Sequence, residues 1–311
     1  MSRDDALPVR VADSALPAEV EIWDVAPRDG LQAEAMRLDV EQKVELIERL
    51  VRAGFPVVEV GSFVRADRVP QMADSADVFA RVKDLPARTP VLVPNVTGYD
   101  HARAAGADDI AVFLSVTETF SRENLGAPRA RMEEMVQRIA QQASADGVRV
   151  RGYLSMVFGD PWEGVVDEGE VVRLATAMRA WGIRELSLGD TIGVATPGQI
   201  KRIVRLLTGT GIAVTDLALH LHDTYGTALA NVYAGLEEGV RTFDAATGGV
   251  GGCPFAKSAT GNLAADDLVW MLEGLGIRTG VDLDAVVETS SWLSAVLQRP
   301  ITSRVATALT R

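Results

Sequence analysis

A closed (β/α)8 TIM barrel with an additional C-terminal helix is the fold this sequence predicts, on three observations. Short β-branched runs alternate with amphipathic segments along the chain, and strands separated by helices lie parallel because parallel neighbours need a crossover. Eight such units within 311 residues suit a closed barrel better than an open doubly wound sheet. Polar residues also gather just after the strands, at the end where barrels carry their active sites.

The strands are expected at residues 21–25, 57–61, 91–94, 109–114, 149–157, 185–188, 216–222 and 241–245. Between them run helical patterns, such as 40–53 and 132–145, with apolar residues at three- and four-residue steps. The eighth barrel helix is expected at 264–275 and the extra one at 282–297. Residues 1–20 read as an N-terminal extension, and 21–311 as a single barrel domain without linker or repeat.

Composition excludes several functions. Forty-three acidic against 31 basic residues leave a net charge of −12, which argues against nucleic-acid binding, since phosphate neutralisation needs clustered Lys and Arg. An anionic substrate would need local positive charge to overcome that field. The single cysteine, Cys253, rules out an intrachain disulfide and suits a reducing compartment. The N-terminus lacks the apolar core of a signal peptide. No uncharged apolar run approaches the ~18 residues of a membrane span. A cytoplasmic protein with no membrane partner is expected.

The strongest chemical signal is His220-Leu221-His222. Residues i and i+2 of a strand share a face, so both imidazoles point into the barrel while Leu219 and Leu221 pack outward. The pair reads either as hydrogen-bonded interior histidines or as two ligands of a divalent metal. Asp29, at another strand end, would complete such a site; its plainer reading is a turn residue before Gly30. Asn262 follows the loop Gly248–Pro254 and is either a fourth ligand or the N-cap of the last barrel helix. That loop lacks a following Gly-Lys-Ser/Thr and is not a P-loop.

Arg28 is either a structural ion pair, with Glu59 or Asp190, or an oxyanion stabiliser worth roughly 3–4 kcal/mol. Glu59 and Asp190 read either as a buried carboxylate pair with divergent pKa values or as charge partners of Arg28. Cys253 reads as a small buried residue or, in its glycine-rich loop, as a proton donor.

Several motifs in order then resemble the hydroxymethylglutaryl-CoA lyase family: Pro27-Arg28-Asp29-Gly30-Leu31-Gln32, Leu188-Gly189-Asp190-Thr191-Ile192-Gly193, His220-Leu221-His222-Asp223-Thr224-Tyr225-Gly226 and Gly251-Gly252-Cys253-Pro254-Phe255. Pro94-Asn95, Gly152-Tyr153 and Thr260-Gly261-Asn262-Leu263 add to it. The resemblance implies retro-Claisen cleavage of 3-hydroxy-3-methylglutaryl-CoA, or a close 3-alkyl homologue, to acetyl-CoA and acetoacetate or its homologue. It implies Asp29, His220, His222 and Asn262 as ligands of Mg²⁺ or Mn²⁺, with His220 also in the catalytic set. Arg28 would stabilise the thioester enolate, Cys253 would protonate it, and Glu59 and Asp190 would serve the acid–base network, with Asp190 rather than the metal-bound His220 taking the hydroxyl proton directly or through water. Gln32, Ser62, Ser187 and Thr191 would bind substrate beside Arg28. Barrels of this type frequently pair, so a homodimer is expected.

Three positions depart from the family's usual pattern: Ala35 stands where a Lys is usual, Asp160 where Cys is frequent, and Val250 where Leu is common. They leave the acyl chain of the substrate less constrained than the reaction. Lys257, Arg122 and Arg129, in loops at the same end, read either as contacts for CoA phosphates or as solvated charges. The alternatives are an acetyl-CoA-dependent 2-oxo acid condensing synthase, which usually carries a further C-terminal region and lacks the Gly-Gly-Cys-Pro loop, and a catalytically silent binding barrel.

Overall fold

Nine strand segments, all parallel, build the sheet: β1 (Glu21–Asp24), β2 (Val57–Val58), β3 (Gly61–Ser62), β4 (Val91–Leu92), β5 (Asp109–Ser115), β6 (Arg149–Ser155), β7 (Glu185–Asp190), β8 (Leu217–Leu221) and β9 (Thr242–Ala245). The protein is seen here in a computed structural model that describes residues 7–252 and 261–310. Cys253 and Lys257 lie outside the described residues.

The order β2-β1-β9-β8-β7-β6-β5-β4-β3 closes on itself. β2 pairs with β1 and β3 pairs with β4, yet the two are halves of one extended segment. Between them Glu59 N–H donates to Asp24 O and Val60 N–H to Pro90 O. The result is an eight-stranded ring, as the sequence predicts. The strand expected at 57–61 is split because its two neighbours meet it at opposite ends.

Helices α1 (Val40–Arg52), α2 (Ser75–Val82), α3 (Val96–Ala105), α4 (Glu118–Phe120), α5 (Arg129–Ala145), α6 (Glu168–Ala180), α7 (Pro197–Gly209), α8 (Ala228–Glu237) and α9 (Ala265–Gly274) punctuate the strands. Local chemistry sets their starts. Asp39 and Gln42 form a reciprocal capping box at α1, which satisfies two otherwise orphaned amides. The α1 face that carries Leu46, Ile47 and Leu50 is fully buried, each side chain contributing about 1.5–3 kcal/mol of transfer free energy. Asn95, a polar residue at a strand end, caps α3 by accepting Gly98 N–H at 2.9 Å.

The expected extra helix is α10 (Leu283–Leu297), capped by Asp282. A further short helix, α11 (Arg304–Leu309), follows it. Six residues make fewer than two turns, too few for apolar periodicity to show in sequence. Thr302 and Ser303, just before α11, donate their amides to Gly248 O, so the C-terminal segment braces the base of the glycine-rich loop. Of the N-terminal extension, Val11 N–H donates to Gly274 O and Val20 N–H to Arg278 O, laying it along the end of α9.

Strand alternation divides the buried residues. Leu186, Leu188, Leu219, Leu221 and Phe243 face outward into the main core under the helices. Trp23, Glu59, Arg151, Ser187, His220 and Asp244 face inward and are buried too. The barrel interior is therefore unusually polar, and it forms the floor of the site.

Candidate metal centre and active site

The functional side chains gather at the C-terminal ends of the strands and in the segments that follow them. β1 runs into a single π-helical turn, Ala26–Gly30, a geometry that frequently marks functional sites. It projects Arg28 and Asp29 over the barrel mouth. β8 presents His220, and His222 follows, bridged to Asn262. The ligand atoms of Asp29, His220 and His222 all lie within 4.8 Å of one another. This is the three-residue cluster the sequence predicts.

Asn262 joins them. Its Nδ2 donates to Asp29 Oδ2 at 2.9 Å and to Val250 O at 3.1 Å. Both partners only accept, so the amide orientation is fixed by chemistry. Its Oδ1 is then buried without a hydrogen-bond partner among the described residues, a position that costs free energy unless an electropositive group meets it. The N-cap reading of Asn262 does not hold, because the N-cap of α9 is Ala264. Glycine is required nearby: a Cβ on Gly251, at φ +116°, would stand 2.5 Å from Asn262 Nδ2.

The electrostatics suit a cation. Burial pushes the Asp29 carboxyl up, but Arg28 beside it, with His220 and His222, holds it well below the usual carboxylate range. An anionic oxygen, two imidazoles and an amide oxygen fit a divalent ion of the magnesium or first-row transition kind.

Arg28 is clamped between two carboxylates. Its Nε donates to Glu59 Oε2 at 2.8 Å and its Nη1 to Asp29 Oδ1 at 2.6 Å. Burial opposes its charge, yet Glu59 and Asp29 raise its pKa further. Glu59 is fully buried, and desolvation lifts its pKa despite Arg28. Its partner is thus Arg28, not Asp190. Asp190 accepts amides from Val194 and Ala195 at 2.9 and 3.0 Å, and burial lifts it to about 6. Among the described residues no hydrogen bond joins Glu59 to Asp190, and Asp190 shapes the turn after β7.

One cavity of about 1020 Å³ opens over this cluster. Arg28, Asp29, Gln32, Ser62, Thr191, His220 and His222 line it. Ser187, expected at the substrate, lies one layer down: its side chain is fully buried, and its hydroxyl donates to Asp244 Oδ2 at 2.9 Å. Arg122 and Arg129 are already engaged, with Glu118 at 2.7 Å and Glu170 at 2.9 Å.

Sequence reasoning missed the layer beneath. Asp244, which pairs in register with His220 on the next strand, lies 3.2 Å from His220 Nδ1 through its Oδ2. A carboxylate only accepts, so Nδ1 carries the proton and Nε2, 3.8 Å from Asp29 Oδ2, presents its lone pair upward. Arg151 donates to the other Asp244 oxygen at 2.7 Å. Its guanidinium stacks 3.7 Å from the Trp23 ring centroid and 5.1 Å from that of Tyr153, with Arg28 above Tyr153 at 5.6 Å. The signal was present: Arg151 and Asp244 are charged residues inside strands that must be buried on both faces.

Asp244→Asn is expected to weaken metal binding about 10–100-fold, the usual cost of losing a ligand's orienting partner. The new amide NH2 cannot face the Arg151 cation, so it faces His220. That forces the imidazole proton onto Nε2. A Mn²⁺ titration measures the effect, and unchanged affinity would reject the orienting role.

Comparisons with known proteins show the family. The HMGL-like family model matches residues 19–293. The mitochondrial hydroxymethylglutaryl-CoA lyase of Mus musculus is 46% identical, covering 94% of this chain and 90% of its own. The 3-hydroxy-3-isohexenylglutaryl-CoA/hydroxy-methylglutaryl-CoA lyase of Pseudomonas aeruginosa is 43% identical over 94% and 98%. A solved HMG-CoA lyase from Acinetobacter baumannii, in complex with coenzyme A and 3-methylmalate, superposes with a TM-score of 0.90 at 36% identity, covering 96% of this chain and 97% of that one. Matched along nearly its whole length, with an Asp-His-His cluster at the mouth of its barrel, the chain belongs to the HMGL-like family of hydroxymethylglutaryl-CoA lyases.

Proposed function

We propose that this enzyme cleaves 3-hydroxy-3-methylglutaryl-CoA to acetyl-CoA and acetoacetate at the Asp29–His220–His222 cluster. The observation that carries the reading is the convergence of those ligand atoms within 4.8 Å, beside Arg28, on one large cavity. Asp29, His220, His222 and Asn262 would hold Mg²⁺ or Mn²⁺, which when bound supplies Lewis acidity to a chelated tertiary hydroxyl and carboxylate.

The chain's own groups do the rest. Once the hydroxyl passes its proton to Asp190, directly or through a water, the C2–C3 bond breaks and its electrons pass to the thioester oxygen. Arg28 is the cation placed to meet that oxygen, and Glu59 holds it in place by the 2.8 Å bond to Nε. Gln32, Ser62 and Thr191 offer polar contacts along the cavity wall. Asp190 accepts two amides and so also holds the turn that carries Thr191, and each of its oxygens keeps a second lone pair for that proton. Cys253 is assigned the enolate protonation by resemblance to the family.

A longer substituent at C3 is also accommodated in this reading. Leu92, Phe113, Met132 and Met135 give the cavity an apolar wall, and the Pseudomonas aeruginosa relative is named for an isohexenyl substrate as well as the methyl one.

The test is direct. Purified protein with Mg²⁺ or Mn²⁺ and 3-hydroxy-3-methylglutaryl-CoA should release acetoacetate, and chelation should stop it. If no acetoacetate appears but acetyl-CoA condenses with a 2-oxo acid, the synthase reading replaces this one. If neither reaction occurs, the barrel is a binding protein.

A further inference from the structure

The acidic chain carries a basic rim. Arg65, Arg68 and Arg131 line the same cavity as Asp29 and His222, on a chain whose net charge is −12. Arg65 is held by both oxygens of Asp67, at 3.0 and 2.6 Å. Arg68 and Arg131 have no carboxylate within ion-pair distance among the described residues. The acidic groups on this rim are Glu123 and Glu34, and Glu34 is neutralised by Arg299.

Two loops bring the free arginines to one edge. Arg68 follows β3, and its Nη2 lies 3.9 Å from where a Cβ on Gly126 would stand. Gly126 belongs to the loop that leads into α5, and Arg131 sits in the first turn of that helix, a turn without an acidic residue. A cation at a helix N-terminus opposes the helix dipole and weakens the helix. Stability therefore does not explain Arg131 there. Instead, its charge and the dipole add positive potential over the cavity mouth.

We propose that Arg68 and Arg131 anchor the phosphate groups of the CoA moiety. The inference rests on the thioester reading above and adds the polarity of binding: the acyl carboxylate goes to the Asp29 cluster and the phosphates to the opposite rim. Without such an anchor, the overall negative field would oppose capture of a polyanion.

The test compares two thioesters of the same acyl group, one on CoA and one on pantetheine, which carries no phosphate. Arg68→Ala and Arg131→Ala should each raise KM for the CoA thioester about 10-fold, the scale of one charge-assisted hydrogen bond. The kcat and the KM for the pantetheine thioester should stay unchanged. The salt dependence of KM should also flatten in the double variant. An unchanged KM for the CoA thioester, or an equal rise with pantetheine, overturns the anchor. Calorimetric binding of free CoA to wild type and double variant separates this from the lyase reading, because it needs no turnover. Equal affinities overturn the anchor even if acetoacetate is released, and weaker binding by the double variant supports it even if none is.

Discussion

Asp29→Ala is expected to remove both metal binding and turnover while leaving the fold intact. Asp29 is the one carboxylate of the cluster, held ionised by Arg28 and two imidazoles. Losing it should cost more than the 10–100-fold typical of an outer partner, so Mn²⁺ affinity should fall at least about 100-fold. Asn262 loses an acceptor at the same time, which frees the amide to turn. The fold should survive, because Arg28 keeps Glu59 as its buried partner at 2.7 Å. Mn²⁺ binding, acetoacetate release and a thermal melt read the three statements separately. A variant that still binds Mn²⁺ and turns over would remove the metal centre from this site.

Arg28→Met should do more harm to the fold and comparable harm to the chemistry. It strands Glu59, fully buried and bonded to Arg28 through Oε2. Breaking a buried pair on one side typically costs about 3–5 kcal/mol. The loss should widen as pH rises. Burial already lifts the Glu59 pKa, and a group whose folded pKa lies above its unfolded value favours folding at low pH and loses that contribution as pH climbs through the folded value. Turnover should fall about 100- to 1000-fold, the usual consequence of removing an oxyanion donor. Adding Glu59→Gln should restore most of the stability, since no buried charge is left alone, but none of the turnover. Denaturant melts at two pH values and kcat for both variants check this. Recovery of kcat in the double variant would show that Arg28 acts only as a structural partner.

These two predictions differ in how legible their residues were. His220 and His222 stand out because alternation on a strand puts i and i+2 on one face, and the barrel end is set by strand direction. Asp29 and Asn262 are adjacent only in space, 233 positions apart in sequence and joined by one 2.9 Å hydrogen bond. Local pattern left each with two readings, and the second reading of Asn262, as an N-cap, disappeared once α9 was seen to start after Ala264. Glu59 was open between Arg28 and Asp190 for the same reason, and distance decided for Arg28.

Taken alone, the order of residues determined the closed parallel barrel, the strand ends that carry the site, and the histidine pair, because these follow from periodicity and chain direction. The motifs also sufficed to point to the lyase family. Tertiary structure decided the pairings. It placed Asp244 under His220 and bonded Ser187 to Asp244, stacked Arg151 between Trp23 and Tyr153, and left Asn262 Oδ1 without a partner among the described residues. It also paired Arg122 with Glu118 and Arg129 with Glu170, and set Arg68 and Arg131 on the wall of the cavity. A charged side chain announces its own need for a partner, but which one satisfies it depends on distances that barrel closure sets between residues far apart in the chain.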